Sequence, residues 1–243
     1  MRLLPALVLM AALAGCGGGG SAPATTPGGA RSPDGSGAST SLRYAVLGDS
    51  YSNGEAVGLD RSWPAVMADR LTRDGLPVQV VANPSVTGAT TAEMLRRGLP
   101  AIRAAHPDVM TVMLGVNDQV QGRTTAQFAV DADRALAAAI GITGSAARVL
   151  AVDIPDYSVA PVSAQFGDRR AISQQIDAFN AVVREVAARR QVRVVSIVDL
   201  SRQRGAAGIA GDGLHPSAEQ LAAWADRIGA VARRRWARLR PTG

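Results

Sequence analysis

Five short, almost continuously apolar stretches constrain the fold of this chain more than any other feature of its sequence. They occupy residues 44–47, 78–82, 109–114, 149–154 and 192–198. An apolar stretch that does not alternate with polar residues is typical of a strand covered on both faces, as parallel strands between two helical layers are. The pattern therefore predicts a five-stranded parallel sheet.

The segments between these strands have the apolar spacing of amphipathic helices. One helical face collects Phe128, Ala132, Leu136 and Ile140, a second collects Ile172, Ile176, Phe179, Val183 and Val186, and a third collects Leu221, Trp224, Ile228 and Val231. Strands that alternate with helices through right-handed crossovers form an open α/β/α sandwich of three layers. We therefore expect an α/β fold that binds ligands at the carboxyl ends of its strands.

The amino terminus differs in composition from the rest of the chain. Arg2 precedes an apolar run of about a dozen residues, which is shorter than the roughly 20 that a membrane-spanning helix needs. The run ends in Leu-Ala-Gly-Cys at positions 13–16. This arrangement predicts an export signal over residues 1–15. Residues 16–42, rich in Gly, Ala, Ser, Thr and Pro, are expected to be a flexible tether, and residues 43–243 to be one domain.

Cys16 is the only cysteine of the chain, so no intramolecular disulfide can form and stability has to come from a hydrophobic core. The four residues that end in Cys16 resemble a bacterial lipobox. That resemblance implies that Cys16 becomes the lipidated first residue of the mature protein, anchored to the outer face of the cell membrane. A buried helix with a chance cysteine is the alternative, but the Gly-rich sequence that follows could not pack it.

Small and polar residues follow four of the five predicted strands, at the point where each strand ends. Because the carboxyl ends of parallel strands meet at one edge of the sheet, these residues are expected to lie together. In chain order they are Gly48, Asp49 and Ser50; Asn83, Ser85 and Gly88; Gly115, Asn117 and Asp118; and, in a long loop after the last strand, Asp212 and His215.

The small number of histidines limits which residue can act as a base at this edge, since a serine nucleophile generally needs an adjacent base. The chain has two histidines. His106 precedes the third strand and is predicted to be a turn residue at the opposite, amino edge. His215 lies at the carboxyl edge, and Asp212 can turn back to accept its Nδ1 proton. The same segment also reads as a helix start, with Ser217 as N-cap and Gln220 completing a capping box, and both interpretations can hold.

Four short blocks stand in the order of a known family. They are Gly48-Asp49-Ser50, Gly88, Gly115-Val116-Asn117-Asp118 and Asp212-Gly213-Leu214-His215-Pro216. Over residues 43–235 the chain resembles the SGNH hydrolases, also called GDSL lipases or esterases. The resemblance implies the flavodoxin-like form of the α/β sandwich. Tyr51 departs from the family motif, which has leucine after the serine, and is expected to affect packing more than chemistry.

The resemblance also implies a role for each site residue. Ser50 attacks the acyl carbonyl, His215 takes and later returns the proton, and Asp212 holds the imidazole tautomer. The oxyanion hole consists of the backbone N–H groups of Ser50 and Gly88 and the side-chain amide of Asn117. Gly88 is expected to be glycine because its backbone comes close to the substrate, although a glycine that merely starts a helix would look the same.

The other polar residues of this edge are assigned supporting roles. A carboxylate aimed at an oxyanion would oppose the chemistry, so Asp49 and Asp118 are expected to bind backbone N–H groups of neighbouring loops. Ser52, Asn53 and Ser85 either line the pocket or are ordinary surface-loop residues. The loop over residues 155–167 is longer than most connections and is the candidate for a substrate-shaping flap.

The predicted activity is that of a serine esterase on carboxylic esters. The family also permits thioesters, lysophospholipids and acetylated polysaccharides, so the substrate stays open between small-molecule, lipid and polysaccharide esters. No cofactor is expected, and no metal, because the two histidines are distant. A monomer is expected, and nucleic acid binding is not, since an exported chain with few aromatics is a poor candidate. The alternatives are a non-catalytic ligand-binding lipoprotein and a flavin carrier on the same sheet.

The carboxyl terminus is basic, in a chain that has arginine but no lysine. It could lie against anionic lipid, or it could be a solvated helix end whose cations suit the helix dipole. The second interpretation is favoured, because arginine replaces lysine throughout the chain. The residues concerned are Arg233, Arg234, Arg235, Arg238 and Arg240.

Overall fold

A five-stranded parallel sheet runs through the part of the chain that the structure describes, residues 41–239 of a computed structural model. The strand order is β2-β1-β3-β4-β5, and every neighbouring pair is parallel. This order is that of flavodoxin-like sheets, so the predicted fold class is confirmed. The strands are β1 (Leu42–Leu47), β2 (Val78–Ala82), β3 (Val109–Val112), β4 (Val149–Val152) and β5 (Arg193–Val195).

Helices cover both faces of the sheet. On one face α2 packs against α9, and on the other α6 packs against α3 and α7. This arrangement is the predicted three-layer sandwich. The helices are α1 (Ser50–Asn53), α2 (Trp63–Arg73), α3 (Thr91–Arg97), α4 (Leu99–Ala104), α5 (Val116–Val120), α6 (Thr125–Thr143), α7 (Arg169–Arg189), α8 (Val198–Arg204) and α9 (Ala218–Trp236).

Three of the predicted strands extend too far at their carboxyl ends. The third and fourth end at Val112 and Val152, although the next residues up to Leu114 and Ile154 are still buried. Continuous apolarity reports burial, and here it continues into buried loops. The fifth ends at Val195, and residue 198 already begins α8, a helix inside the stretch that was predicted to be a long loop.

The core lies between the sheet and the two helical layers. Tyr44 of β1 packs against Trp236 of α9, with ring centroids 5.5 Å apart. Phe128 and Phe179 stack at 4.9 Å and join α6 to α7. The apolar faces predicted for α6, α7 and α9 therefore point inwards, as expected for helices that cover a sheet buried on both sides.

Residues 1–40 and 240–243 lie outside the described residues. The predicted export signal, Cys16 and nearly all of the tether over 16–42 therefore lie outside them, as does Arg240. Among the described helices, none combines the length and apolarity needed to cross a membrane.

Candidate active site

Ser50 is the first residue of α1 and lies directly after β1 and a two-residue turn. Asp49 caps the helix, since its Oδ1 accepts the N–H of Tyr51 at 3.0 Å. The first N–H groups of a helix have no partner within the helix, and the N–H of Ser50 is one of these groups. Gly48 permits this tight turn, because a Cβ there would lie 2.4 Å from the Oγ of Ser52.

His215 and Asp212 form a close pair in the loop before α9. Nδ1 of His215 lies 2.6 Å from Oδ2 of Asp212, and Oδ1 of Asp212 accepts the N–H groups of Leu214 and His215 at 3.0 Å each. Partial burial works to raise the pKa of Asp212, but these two N–H groups and the imidazole outweigh it and hold the pKa below its usual range. An ionised carboxylate only accepts, so Nδ1 donates to it and Nε2 is left as the basic nitrogen.

The helix start after His215 matches the sequence prediction only in part. Oγ of Ser217 accepts the N–H of Gln220 at 3.2 Å, as an N-cap does. The side chain of Gln220 is buried, and within the described chain neither of its polar atoms has a hydrogen-bond partner. The predicted capping box is therefore wrong, because the returning bond from Gln220 to the cap is not made.

Tyr51 connects the Ser50 helix to the histidine loop. Its ring centroid lies 5.4 Å from that of His215 and 6.4 Å from that of Trp224 in α9. The residue directly after Ser50 thus packs against the imidazole, and the tyrosine that stands in place of the family's leucine contributes to packing. Burial, reinforced by the negative charge of Asp49, raises the pKa of Tyr51 well above its usual value, so the phenol is neutral.

Asn117, at the start of α5, is tied to the Ser50 loop through Asp49. Its Nδ2 donates to Oδ2 of Asp49 at 3.2 Å, which leaves a second N–H of the same amide group for another acceptor. Burial raises the pKa of Asp49 to about 7, and the nearby Asp118 adds to this, while the N–H of Tyr51 and the amide of Asn117 act in the opposite direction. Near neutral pH the carboxyl group therefore carries less negative charge than an ordinary aspartate.

The two supporting aspartates behave differently. Oδ2 of Asp118 accepts both the N–H and the O–H of Thr91, each at 2.8 Å, and its Oδ1 lies 3.1 Å from Nε of Arg123. Asp118 thus binds a backbone N–H of a neighbouring segment, as predicted. For Asp49 the prediction is wrong in detail: the backbone N–H that it binds belongs to its own helix, and its contact with a neighbouring loop is the side chain of Asn117.

Gly88 adopts the left-handed backbone conformation, with φ of +77°. A Cβ built there would meet nothing within 4 Å, so within the described chain the positive φ, rather than crowding, favours glycine. Its carbonyl accepts Nε2 of Gln121 at 3.0 Å, which joins this loop to the end of α5. The close approach of a substrate to Gly88 stays a prediction.

The polar residues around Ser50 bind one another. Nδ2 of Asn53 donates to Oγ1 of Thr87 at 3.3 Å, and Nδ2 of Asn83 donates to the carbonyl of Ser52 at 2.9 Å. Oγ of Ser85 donates to Oδ1 of Asn83 at 2.6 Å. These bonds fasten the loop after β2 to α1. Ser52 is fully buried, so the interpretation as a surface-loop residue is wrong for it.

His106 lies at the amino edge, away from these residues. It is exposed and connects α4 to β3 with a left-handed φ of +43°, and its carbonyl accepts Nε of Arg43 at 3.1 Å. The prediction of a turn residue is confirmed.

The loop over residues 155–167 packs against the site as two short 3-10 turns, Tyr157–Val159 and Pro161–Gln165. The hydroxyl of Tyr157 donates to Oε1 of Gln119 in α5 at 2.5 Å. The N–H of Val162 donates to the carbonyl of Gly213 at 3.2 Å. The loop therefore contacts both α5 and the His215 loop, and its role as a substrate-shaping flap stays a prediction.

The sequence of this chain is similar to those of known lipases and esterases. Residues 46–223 match the model of the GDSL-like Lipase/Acylhydrolase family. Esterase TesA of Pseudomonas aeruginosa is 32% identical over 179 residues, which are 71% of this chain and 78% of that protein. An arylesterase of Vibrio mimicus is 40% identical over 83 residues, or 34% of this chain, and the match spans only 40% of that protein's length.

The fold is also found in solved structures. The lipase/acylhydrolase from Enterococcus faecalis superposes with a TM-score of 0.64 at 22% identity, covering 80% of this chain and 96% of that one. At this identity the likeness concerns the fold alone.

Proposed function

The chain belongs to the GDSL-like lipase/acylhydrolase family, and from that premise we propose that it is a serine esterase whose catalytic residues are Ser50, His215 and Asp212. The observation that carries this proposal is the Asp212–His215 pair at 2.6 Å, packed on the residue that follows Ser50. Asp212 orients the imidazole so that Nε2 accepts a proton, which is the arrangement a serine nucleophile requires.

The proposed reaction proceeds in two halves. Oγ of Ser50 attacks the ester carbonyl while its proton passes to Nε2 of His215, and a tetrahedral intermediate forms. The intermediate collapses when His215 returns the proton to the leaving alcohol, and the acyl group stays on Ser50. A water molecule then attacks the acyl carbonyl, His215 accepts its proton and returns it to Oγ of Ser50, and the carboxylic acid leaves.

The proposed oxyanion hole uses the N–H groups of Ser50 and Gly88 and the free N–H of Asn117. Its support is the bond between Asn117 and Asp49, which holds the amide beside the Ser50 loop. The raised pKa of Asp49 favours the same role, because a carboxyl group that is partly protonated near neutral pH opposes the developing negative charge less than an ordinary aspartate does.

Exposed apolar residues on the loops after the strands are the basis for proposing an acyl chain longer than acetyl. Five large apolar residues of the described chain are exposed; one of them, Val130, is in α6, and the other four stand on the segments that leave the carboxyl ends of four different strands. These four are Leu59, Val86, Val120 and Phe166. A shallow apolar surface can cover part of a chain, and each fully buried CH₂ group contributes about 0.8 kcal/mol. We therefore propose simple acyl esters as substrates, ahead of acetylated polysaccharides; thioesters and lysophospholipids share the acyl part.

A panel of nitrophenyl esters from acetyl to long acyl chains tests this proposal. The full chain should hydrolyse the panel, and kcat/KM should rise several-fold from acetyl to medium chains, because partial burial gives only part of the roughly fourfold gain per CH₂. A Ser50→Ala protein serves as the blank. A rate equal to the blank for every ester would leave a ligand-binding protein as the better account.

We propose that the mature protein is held on the outer face of a bacterial cell membrane by lipid on Cys16. The support is the sequence that ends in Cys16 and the composition of residues 17–40, which predicts a tether. A flexible chain of roughly 24 residues has a root-mean-square span of about 25–30 Å. Two acyl chains on one residue are enough for stable anchoring, whereas one is not.

Substituting Cys16→Ser should abolish labelling of the protein by a tagged fatty acid and remove its need for detergent, while the esterase activity is unchanged. The measurement is gel fluorescence after growth with the tagged fatty acid, with wild type as the reference. Recovery of unlabelled wild-type protein with residues 1–15 still attached would contradict the proposal.

A further inference from the structure

The arginines at the end of α9 surround an open groove at the amino edge of the sheet. The groove has a volume of about 290 Å³ and is lined by Ala147, Arg234, Arg235, Arg238 and Leu239. Ala147 lies in the turn that leads into β4, and Trp236, between these arginines, packs on Tyr44 near the start of β1. The groove is therefore at the opposite edge of the sheet from Ser50 and His215.

These guanidinium groups lack the acidic partners that neighbouring arginines have. Arg233 is paired with Asp74 at 3.0 Å. Over residues 41–239 no such ion pair is formed by Arg234, Arg235 or Arg238, and Nε of Arg235 is buried without a hydrogen-bond partner in that part of the chain. Three positive groups thus line one groove, and in the described part of the chain none of them has an acidic partner.

The path of the chain brings this groove to a particular place. The described part begins at residue 41, immediately before β1, and Leu42 pairs with Val78 at the amino end of the sheet. The 40 preceding residues therefore join the domain at the edge that carries the arginine groove. The catalytic residues lie at the other edge, one strand length away, which for six residues is roughly 20 Å.

We propose that the groove of Arg234, Arg235 and Arg238 is a docking surface for the phosphate headgroups of an anionic phospholipid bilayer. Guanidinium groups bind phosphate oxygens through paired N–H donors, and the lipid anchor proposed on Cys16 would connect to the domain at this same edge. The bound domain then turns the edge with Ser50 and His215 away from the membrane, towards soluble or wall-bound esters. This binding goes beyond the proposed esterase activity and needs no lipid on Cys16.

Sedimentation with lipid vesicles tests the docking surface. Every sample is the full chain carrying Cys16→Ser, so that no covalent lipid contributes. One set of vesicles is pure phosphatidylcholine, and the other is equal parts phosphatidylcholine and phosphatidylglycerol. Each arginine near an anionic surface contributes roughly fivefold to binding, so Arg234→Ala, Arg235→Ala and Arg238→Ala together should weaken partition to the anionic vesicles roughly 100-fold, and added salt should weaken wild-type binding.

The matched control removes the same charge elsewhere. Arg96, Arg97 and Arg170 are exposed on α3 and α7, and their joint replacement by alanine should leave binding near the wild-type value, because screening confines such effects to about 8 Å at physiological salt. Esterase activity and thermal unfolding report that each variant is folded. Should the triple variant fail to fold, a variant with Arg234→Gln and Arg238→Gln keeps Arg235 in place. Its partition to the anionic vesicles should be roughly 30-fold weaker than that of the unmodified groove.

Two results would overturn the proposal. One is equal binding of the unmodified groove to both kinds of vesicle. The other is a loss in the Arg96, Arg97 and Arg170 control as large as in the groove variant, which would assign the binding to overall charge.

Discussion

Replacing Ser50 by alanine should lower kcat/KM for a nitrophenyl ester by about 10⁴-fold or more, and replacing His215 by alanine should do the same. Without Oγ there is no nucleophile, and without the imidazole nothing accepts its proton. The two losses should not add, because both residues act in one step. Steady-state kinetics on the purified variants, with thermal unfolding as a check on folding, measures the effect.

The second histidine of the chain provides a matched control for this prediction. His106 is exposed at the amino edge and takes part in the fold through its backbone carbonyl, so His106→Ala should keep nearly full activity. If His106→Ala were inactive and His215→Ala fully active, the active edge would have been placed on the wrong side of the sheet.

Asn117→Ala should lower kcat by about 10²- to 10³-fold and leave KM little changed. The amide donates to Asp49, and its other N–H is proposed to bind the oxyanion more strongly than the ground-state carbonyl. Asn53→Ala is the comparison variant: Asn53 donates to Thr87 on the loop that carries Gly88 and is proposed to position that loop without binding the oxyanion, so its kcat should fall much less than that of Asn117→Ala. A raised KM with unchanged kcat would instead assign Asn117 to substrate binding.

The positions of the strands could be predicted from the sequence, because burial on both faces requires continuous apolarity. Their carboxyl ends could not. Leu114 and Ile154 are as buried as the strands before them, so a hydropathy pattern cannot distinguish the last strand residue from the first buried loop residue. For the same reason the start of α8 could not be predicted, since its first residue, Val198, continues an apolar stretch.

In the candidate site, too, some contacts could be predicted from the sequence and others could not. The rule for strand ends, together with the count of two histidines, was enough to predict that Asp212 and His215 pair, because they are three residues apart. The bonds from Asn117 to Asp49 and from Thr91 to Asp118 join residues 68 and 27 positions apart. Contacts of that range depend on how the loops pack, and no local spacing indicates them. The arginine groove likewise became apparent only once the turn before β4 was placed beside α9.

The identity of the nucleophile is the central claim, and covalent labelling tests it most directly. A serine that is activated by a histidine displaces fluoride from an alkyl fluorophosphonate and stays phosphonylated. Intact mass and peptide mapping of the full chain should show one adduct, located on Ser50, absent from Ser50→Ala and formed far more slowly in His215→Ala. An adduct on another serine, such as the neighbouring Ser52, or esterase activity that survives complete modification of Ser50, would contradict the account.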